Sequence, residues 1–236
     1  MHAPAAPEPI DPDILMLAYR AGIFPMSDAR DDPEVFWVEP RVRAILPLGG
    51  FHLSRSLRRT LRRERFQITC NAAFSAVVEA CAAPRPDEGG SWISRRIQIS
   101  YEHLHQRGQA HSVECWQDEN LVGGLYGVSF DRVFCGESMF SRASDASKVA
   151  LAALVAAMRG GGFELLDCQF QTDHLASLGA VELPQEEYLM LLHAAQRDYS
   201  SDASPPSLES SFASLLGEDA DVSPGYRIAQ SLTQTS

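Results

Sequence analysis

The sequence lacks a long apolar run, even though 45% of its 236 residues are hydrophobic. None of its apolar stretches approaches the roughly 20 residues that a membrane-spanning helix requires. The N-terminal segment, MHAPAAPEPIDPD, is acidic and rich in proline, and it has neither the basic nor the apolar region of a signal peptide. We therefore predict a cytoplasmic protein that is long enough to bury a sizeable core.

Closely spaced cysteines are also absent. The five cysteines stand singly in apolar segments, at Cys70, Cys81, Cys115, Cys135 and Cys168. An odd number without close pairing indicates reduced thiols rather than a disulfide framework. The seven histidines form no HExxH or similar signature, so we expect no metal site.

Lysine is nearly absent, since Lys148 is the only one among twenty basic residues, and the net charge is −11. The arginines are unevenly placed: residues 41–65 contain eight of them and one acid, whereas residues 198–236 contain six acids and one arginine. The overall charge excludes a protein that coats nucleic acid. A local basic site that holds a small part of a nucleic acid is still compatible with it.

The hydrophobic periodicity predicts alternating helices and strands. The predicted helices cover 13–21, 54–63, about 71–81, 95–107 and 145–160, with two short helices around Leu175 and Leu189. The predicted strands are VFWVEP, FQITC, the hairpin AHSVECWQ and LVGGLYGVSF, RVFCGES and FELLDCQF. From Asp198 onward the chain has ten serines and little apolar periodicity, which predicts a disordered acidic tail over 198–236.

Four ordered blocks together resemble one known family. They are LMLAYRAGIFPM, GSWISRRIQISYEHLHQRGQAHSVECW, LVGGLYGVSF with VFCGESMFSRASDASKVAL, and FELLDCQFQTDHLASLGA. They are similar to the conserved blocks of the leucyl/phenylalanyl-tRNA–protein transferases and span Asp13 to about Gln196. Agreement over four blocks is far more specific than a single glycine motif.

The resemblance implies an α/β (α+β) fold with a small N-terminal domain over 8–65 and an acetyltransferase-like (GNAT) catalytic domain over 66–197. It also implies an enzyme that moves Leu, Phe or Met from aminoacyl-tRNA to a protein beginning with Arg or Lys, which marks that protein for degradation. The aminoacyl ester is already activated, so we expect no cofactor, and the enzyme needs only to position the reactants and stabilise charge.

Two other functions compete with this one. A small-molecule N-acetyltransferase of the same fold would need a glycine-containing pyrophosphate loop before the main helix, where this chain has SMFSRASDASK. A tRNA-binding module without enzymatic activity would explain the arginines. It would give no purpose to Asp167, Gln169 and Glu137.

Asp167 and Gln169 alternate along one strand and so share a face. Both match catalytic positions of the family. We interpret Gln169 as orienting the attacking amine and Asp167 as fixing or polarising Gln169. Glu137 could accept a hydrogen bond from the substrate's α-amino group or hold the pocket together. The structural alternatives are a cap on the following turn for Asp167 and Gln169, and a salt bridge for Glu137.

The resemblance assigns the pocket residues, and the placement of aromatic and basic residues suggests further binding residues; each could instead be ordinary core or surface. The hydrophobic side-chain pocket matches Leu125, Phe134, Leu154, Met158 and Leu166. Trp92 and Trp37 are candidate stacking platforms for the terminal adenine. Phosphate contacts with tRNA are predicted for Arg55, Arg58, Arg59, Arg62, Arg63 and Arg65, and an anionic partner for Lys148, whose cation opposes a helix dipole.

Overall fold

The computed structural model describes residues 7–84, 91–196, 206–217 and 222–233. Its centre is a seven-stranded mixed sheet in the order β4-β5-β6-β7-β8-β3-β9, beside a two-stranded ribbon of β1 and β2. The strands are β1 (Phe24–Met26), β2 (Phe36–Val38), β3 (Val42–Ile45), β4 (Gln67–Cys70), β5 (Ala110–Gln117), β6 (Asn120–Phe130), β7 (Val133–Ser141), β8 (Leu165–Gln169) and β9 (Val181–Pro184). The β7–β8 pair is parallel, and the other neighbours in the sheet are antiparallel.

Six of the nine helices in the described stretches begin at a residue whose side chain caps the first turn. The nine are α1 (Pro12–Arg20), α2 (Arg55–Arg62), α3 (Phe74–Ala82), α4 (Arg95–Gln106), α5 (Ala146–Gly161), α6 (Asp173–Ser177), α7 (Gln185–Ala195), α8 (Leu208–Leu216) and α9 (Pro224–Ser231), with a 3-10 turn at Leu48–Gly50. Asp11, Ser54 and Ser94 each accept a hydrogen bond from a backbone N–H in the first turn of the helix that follows. Such caps satisfy donors that a helix start leaves unpaired. No helix in these four stretches is long and apolar enough to cross a membrane.

Two hydrophobic clusters lie on opposite faces of the sheet. Leu125 belongs to the cluster around α5, whereas its neighbour Tyr126 belongs to the cluster around α1, α3 and α4. This division follows from the alternation of side chains along a strand. Helix α5 is buried along nearly its whole length, because its many alanines let it lie close to the sheet.

Three short strands, β1, β3 and β9, were not predicted. β3 and β9 pair with each other, and β3 also pairs with β8, so their structure depends on distant partners rather than on a pattern of their own. β3 comes from the predicted N-terminal domain and lies inside the large sheet. The domain boundary at residue 65 stays a prediction.

The predicted disorder of the tail is wrong for residues 206–217 and 222–233. These contain α8 and α9, which begin at the capping residues Ser207 and Ser223. Both helices pack against α5, with Phe212 and Ile228 in the core. The serine content obscured the caps and the few apolar residues that fold this segment. The remaining residues of the predicted tail lie outside the described stretches.

Candidate active site

The parallel pairing of β7 and β8 brings the predicted polar residues together. Cys135 of β7 lies beside Asp167 of β8, so the residues two positions further along, Glu137 and Gln169, are also neighbours. The Gln169 side chain donates from Nε2 to Glu137 Oε1 at 2.9 Å. These two polar groups meet at the end of the parallel pair, between largely apolar strands.

Gln169 has an unusual backbone conformation. Its φ of +61° is in the left-handed region, which residues other than glycine rarely adopt. The N–H of Phe170 donates to the carbonyl of Cys168 at 2.8 Å, so the chain makes a γ-turn around Gln169. Asp167 Oδ1 accepts the backbone N–H of Gln169 at 2.8 Å. Strain of this kind persists only where surrounding contacts enforce it, and it is frequent at functional sites.

Asp167 is completely buried and fully hydrogen-bonded. Arg43 donates to Oδ1 from Nε at 2.9 Å and to Oδ2 from Nη2 at 2.6 Å, while the Tyr188 hydroxyl donates to Oδ2 at 2.9 Å. Together with the backbone N–H of Gln169, these donors give each carboxylate oxygen of Asp167 two hydrogen bonds. Asp167 does not line the cavity described below. Its carboxylate therefore lies beneath Gln169 and holds the Gln169 backbone rather than facing the cavity.

Arg43 was not predicted to belong to the site. Its guanidinium lies between the rings of Phe24 and Tyr188, 4.7 and 4.6 Å from their centroids, and it donates from Nη1 to the carbonyl of Gly22 at 2.9 Å. Burial lowers the pKa of Arg43, but the charge and hydrogen bonds of Asp167 outweigh burial and hold the pKa above its ordinary value. A lone arginine in a short strand gave no sequence signal, because its partner is 124 positions away.

Glu137 is a buried carboxylate held by three donors. Besides Gln169, the hydroxyl of Tyr19 contacts Oε1 at 2.8 Å and that of Tyr101 contacts Oε2 at 2.7 Å. Burial raises the pKa of Glu137 to about 7; the hydrogen bonds of Tyr101, Tyr19 and Gln169 oppose this rise, and the charge of Asp167 adds to it. The structural alternative of a salt bridge is not found among the described residues, where these three partners of Glu137 are neutral.

A cavity of about 700 Å³ opens beside Glu137 and Gln169. Its apolar part includes three of the five predicted pocket residues, Leu125, Leu154 and Leu166, and Trp92 also lines it. Further lining residues that were not predicted include Met26, Met139, Leu151, Cys168 and Phe170. Leu151 precedes Leu154 by three residues, so helical spacing could have indicated that both face the cavity.

Three predicted binding residues lie away from this cavity. Phe134 and Met158 are completely buried in the core cluster around α5 and are not among the lining residues. Trp37 is 43% exposed and pairs with Pro25 in the two-stranded ribbon; the neighbouring Met26 reaches the cavity instead. A match to a family position does not distinguish a side chain that lines the cavity from a side chain that lies one layer deeper in the core.

The arginines of α2 form an exposed basic face. The helix buries Leu57 and Leu61, and the six predicted arginines around them are all exposed. Arg62 lies over the ring of Tyr226 in α9, 5.4 Å from its centroid. Lys148, in the first turn of α5, is 3.7 Å from Asp145, so it already has a carboxylate partner. Over the described residues, no group of His, Cys, Asp and Glu side chains is arranged to hold a metal ion.

Sequence comparison assigns the chain to a class of enzyme. The family model described as leucyl/phenylalanyl-tRNA protein transferase matches residues 45–193, and the model of its N-terminal domain matches residues 8–41. Matches of this extent define the chain as a transferase that acts on aminoacyl groups.

The relatives identify the family. A leucyl/phenylalanyl-tRNA–protein transferase from Novosphingobium aromaticivorans is 61% identical over 258 residues, covering 98% of each chain. Another, from Zymomonas mobilis, is 56% identical over 193 residues, covering 82% of this chain and 72% of its own. The chain belongs to the leucyl/phenylalanyl-tRNA–protein transferase family.

Similarity to solved structures is weak. The structure of L-PGS from Bacillus licheniformis matches with a TM-score of 0.37 and 14% identity, covering 70% of this chain and 55% of that chain. This likeness is too low to assign a fold.

Proposed function

We propose that the protein transfers Leu, Phe or Met from aminoacyl-tRNA to the α-amino group of a protein that begins with Arg or Lys. Family membership supports an aminoacyl-tRNA donor and a protein acceptor. The observation that carries the proposal is the cavity of about 700 Å³, in which an apolar wall adjoins the Glu137–Gln169 pair. A volume of this size is typical of sites for small groups.

The apolar wall suits the side chain of the transferred amino acid. The wall consists mainly of aliphatic side chains without polar atoms, those of Leu125, Leu151, Leu154 and Leu166. Met139 adds a flexible thioether. A polar side chain would lose its hydration here without gaining a partner, and that cost favours Leu, Phe and Met.

The polar pair suits aminolysis of an ester. Gln169 uses its amide nitrogen to donate to Glu137, which leaves its amide oxygen able to accept from an attacking amine. Asp167 and Arg43 hold the strained turn that aims this side chain. In this proposal the rate comes from positioning an amine against an activated ester, without a covalent intermediate or a cofactor.

Basic and aromatic side chains are the proposed contacts with the tRNA. Trp92 at the cavity can stack on the terminal adenine, and the arginines of α2 can contact phosphates. Lys148 is a weaker candidate, because Asp145 already neutralises it in part. The wider proposal keeps an acetyltransferase-like catalytic domain over 66–197, an N-terminal domain over 8–65, a cytoplasmic location and a role in marking proteins for degradation.

Transfer of a radiolabelled amino acid tests the proposal. Leu-, Phe- and Met-tRNA are offered with a peptide beginning with Arg, and the controls are the same peptide with an acetylated N-terminus and one beginning with Glu. We expect label on the Arg peptide alone. Acetyl-CoA with the same peptide tests the acetyltransferase alternative. Label from acetyl-CoA, or none from any of the three tRNAs, would overturn the proposal.

A further inference from the structure

Glu137, Tyr19 and Tyr101 form a closed triangle of short contacts. The two hydroxyls contact the carboxylate at 2.8 and 2.7 Å and contact each other at 2.5 Å. Each phenol carries one proton, so when Glu137 is ionised the three contacts share only two protons, and one pair of oxygens meets without a hydrogen between them. A proton on Glu137 supplies the missing hydrogen, so the triangle can hold Glu137 in either protonation state.

The titratable groups around the triangle show which of them can take up this extra proton. The titratable groups that face Glu137 are Tyr19 of α1, Tyr101 of α4, Tyr126 of β6, Asp167 of β8 and, on its own strand β7, Cys135, whose pKa burial also raises. Burial raises the pKa of all three tyrosines well above the ordinary value, so they stay protonated. Asp167 pairs with the Arg43 guanidinium at 2.6 Å. Glu137 is therefore the group in this cluster that can change its protonation near neutral pH.

We propose that Glu137 accepts the proton that the acceptor protein's α-ammonium group must lose before attack, and that Tyr19 and Tyr101 tune this acceptance. The inference rests on the proposed transfer reaction and adds a general base to it. Glu137 lines the cavity and can be reached by the amine. An α-ammonium group has an ordinary pKa of about 7.7–8.0, close to that of Glu137 here, which suits proton transfer.

The step balances without another reactant. One proton moves from the ammonium nitrogen to the Glu137 carboxylate, which frees the nitrogen lone pair. The nitrogen then bonds to the ester carbonyl carbon, and the bond from that carbon to the terminal ribose oxygen breaks. A second proton from the nitrogen leaves with the ribose oxygen as a hydroxyl, and Glu137 returns its proton to water.

The pH dependence of transfer tests the tuning by the tyrosines. kcat is measured at saturating Phe-tRNA and Arg peptide, between about pH 5.5 and 9, for the parent and two phenylalanine variants. In Tyr101→Phe the acidic midpoint should rise by about one pH unit, because the lost hydrogen bond stabilises ionised Glu137. The matched control is Tyr126→Phe, which should keep the parental midpoint because the Tyr126 hydroxyl has no hydrogen-bond partner within the described residues.

An infrared titration gives a readout that is independent of activity. The difference spectrum between the parent and Glu137→Gln isolates the carboxylic acid band of Glu137, which should disappear with a midpoint near pH 7. A midpoint in the ordinary range of about 4–5, or a Tyr101→Phe rate lowered by one factor at every pH, would overturn the inference. Tyr19→Phe replaces Tyr101→Phe if the latter does not fold. A parent that transfers nothing would refute the proposed function, while the infrared midpoint would still decide the protonation of Glu137.

Discussion

At the scale of single residues, the two polar side chains predicted on one strand face have different tasks. Gln169 reaches the cavity, whereas Asp167 is buried beneath it with all its partners inside the protein. Alternation along a strand predicts a shared face but not the γ-turn that separates the two side chains. Arg43 belongs with Asp167, because a buried carboxylate without a cation would be very costly.

Replacing Arg43 by Met should be strongly destabilising, because it leaves the Asp167 charge buried without its ion-pair partner. We expect a loss of about 3–5 kcal/mol in the free energy of unfolding, measured by urea denaturation. The control is Arg41→Met, at an exposed side chain two residues away, which should change stability by no more than about 0.5 kcal/mol. Equal midpoints for the two variants would show that the buried pair does not stabilise the fold.

The backbone at Gln169 can be tested separately from its side chain. Gln169→Gly and Gln169→Ala both remove the amide, but only glycine adopts a φ of +61° without strain. The glycine variant should therefore be more stable than the alanine variant by about 1 kcal/mol in urea denaturation. An alanine variant that is as stable as the glycine variant, or more so, would contradict a left-handed Gln169.

At the scale of elements, helices with caps and long strands with clear patterns were predictable. Ser54 and Ser94 were recognisable caps, and the 110–130 hairpin follows from two long strands around a polar tip. The four-residue strands β3 and β9 were not predictable, because only pairing with other strands makes them regular. Helices α8 and α9 were hidden by the composition of their segment.

The arginine face of α2 should determine the salt dependence of tRNA binding. Changing Arg55, Arg58 and Arg59 to Gln spares Arg62, which packs on Tyr226. The slope of log affinity against log salt should fall in magnitude by about 2, because three phosphate contacts are lost. Arg95→Gln and Arg107→Gln, in and beside α4, are controls that should keep the parental slope. A triple variant with the parental slope would place the tRNA elsewhere.

The packing of α8 predicts that the C-terminal segment is part of the folded core. Phe212 is 2% exposed, and replacing it by Ala should lower the free energy of unfolding by about 3–5 kcal/mol. Ser214→Ala, on the exposed side of the same helix, should be nearly neutral. If urea denaturation gives equal midpoints for the parent and Phe212→Ala, α8 does not pack on α5 in solution.

At the scale of the whole molecule, the site exists because the sheet joins distant parts of the chain. Glu137 and Gln169 were predictable from sequence, but the contacts that orient them come from α1, α4, β3 and α7. Hydrophobic periodicity in the sequence does not predict contacts between residues that are far apart in the chain. The same limit explains the pocket: Leu154 lines it and Met158, one turn further, does not.

The most direct test of the whole account is the single-turnover rate of Phe transfer from saturating Phe-tRNA to an Arg peptide in Gln169→Ala and Asp167→Ala. Asp167→Ala also breaks the buried pair with Arg43, so both variants are assayed where circular dichroism shows them folded. Both should then lose orders of magnitude in rate while binding Phe-tRNA with nearly parental affinity, because one removes the group that orients the amine and the other removes the carboxylate that holds it. Rates within a few-fold of the parent for both variants would contradict the assignment of this site.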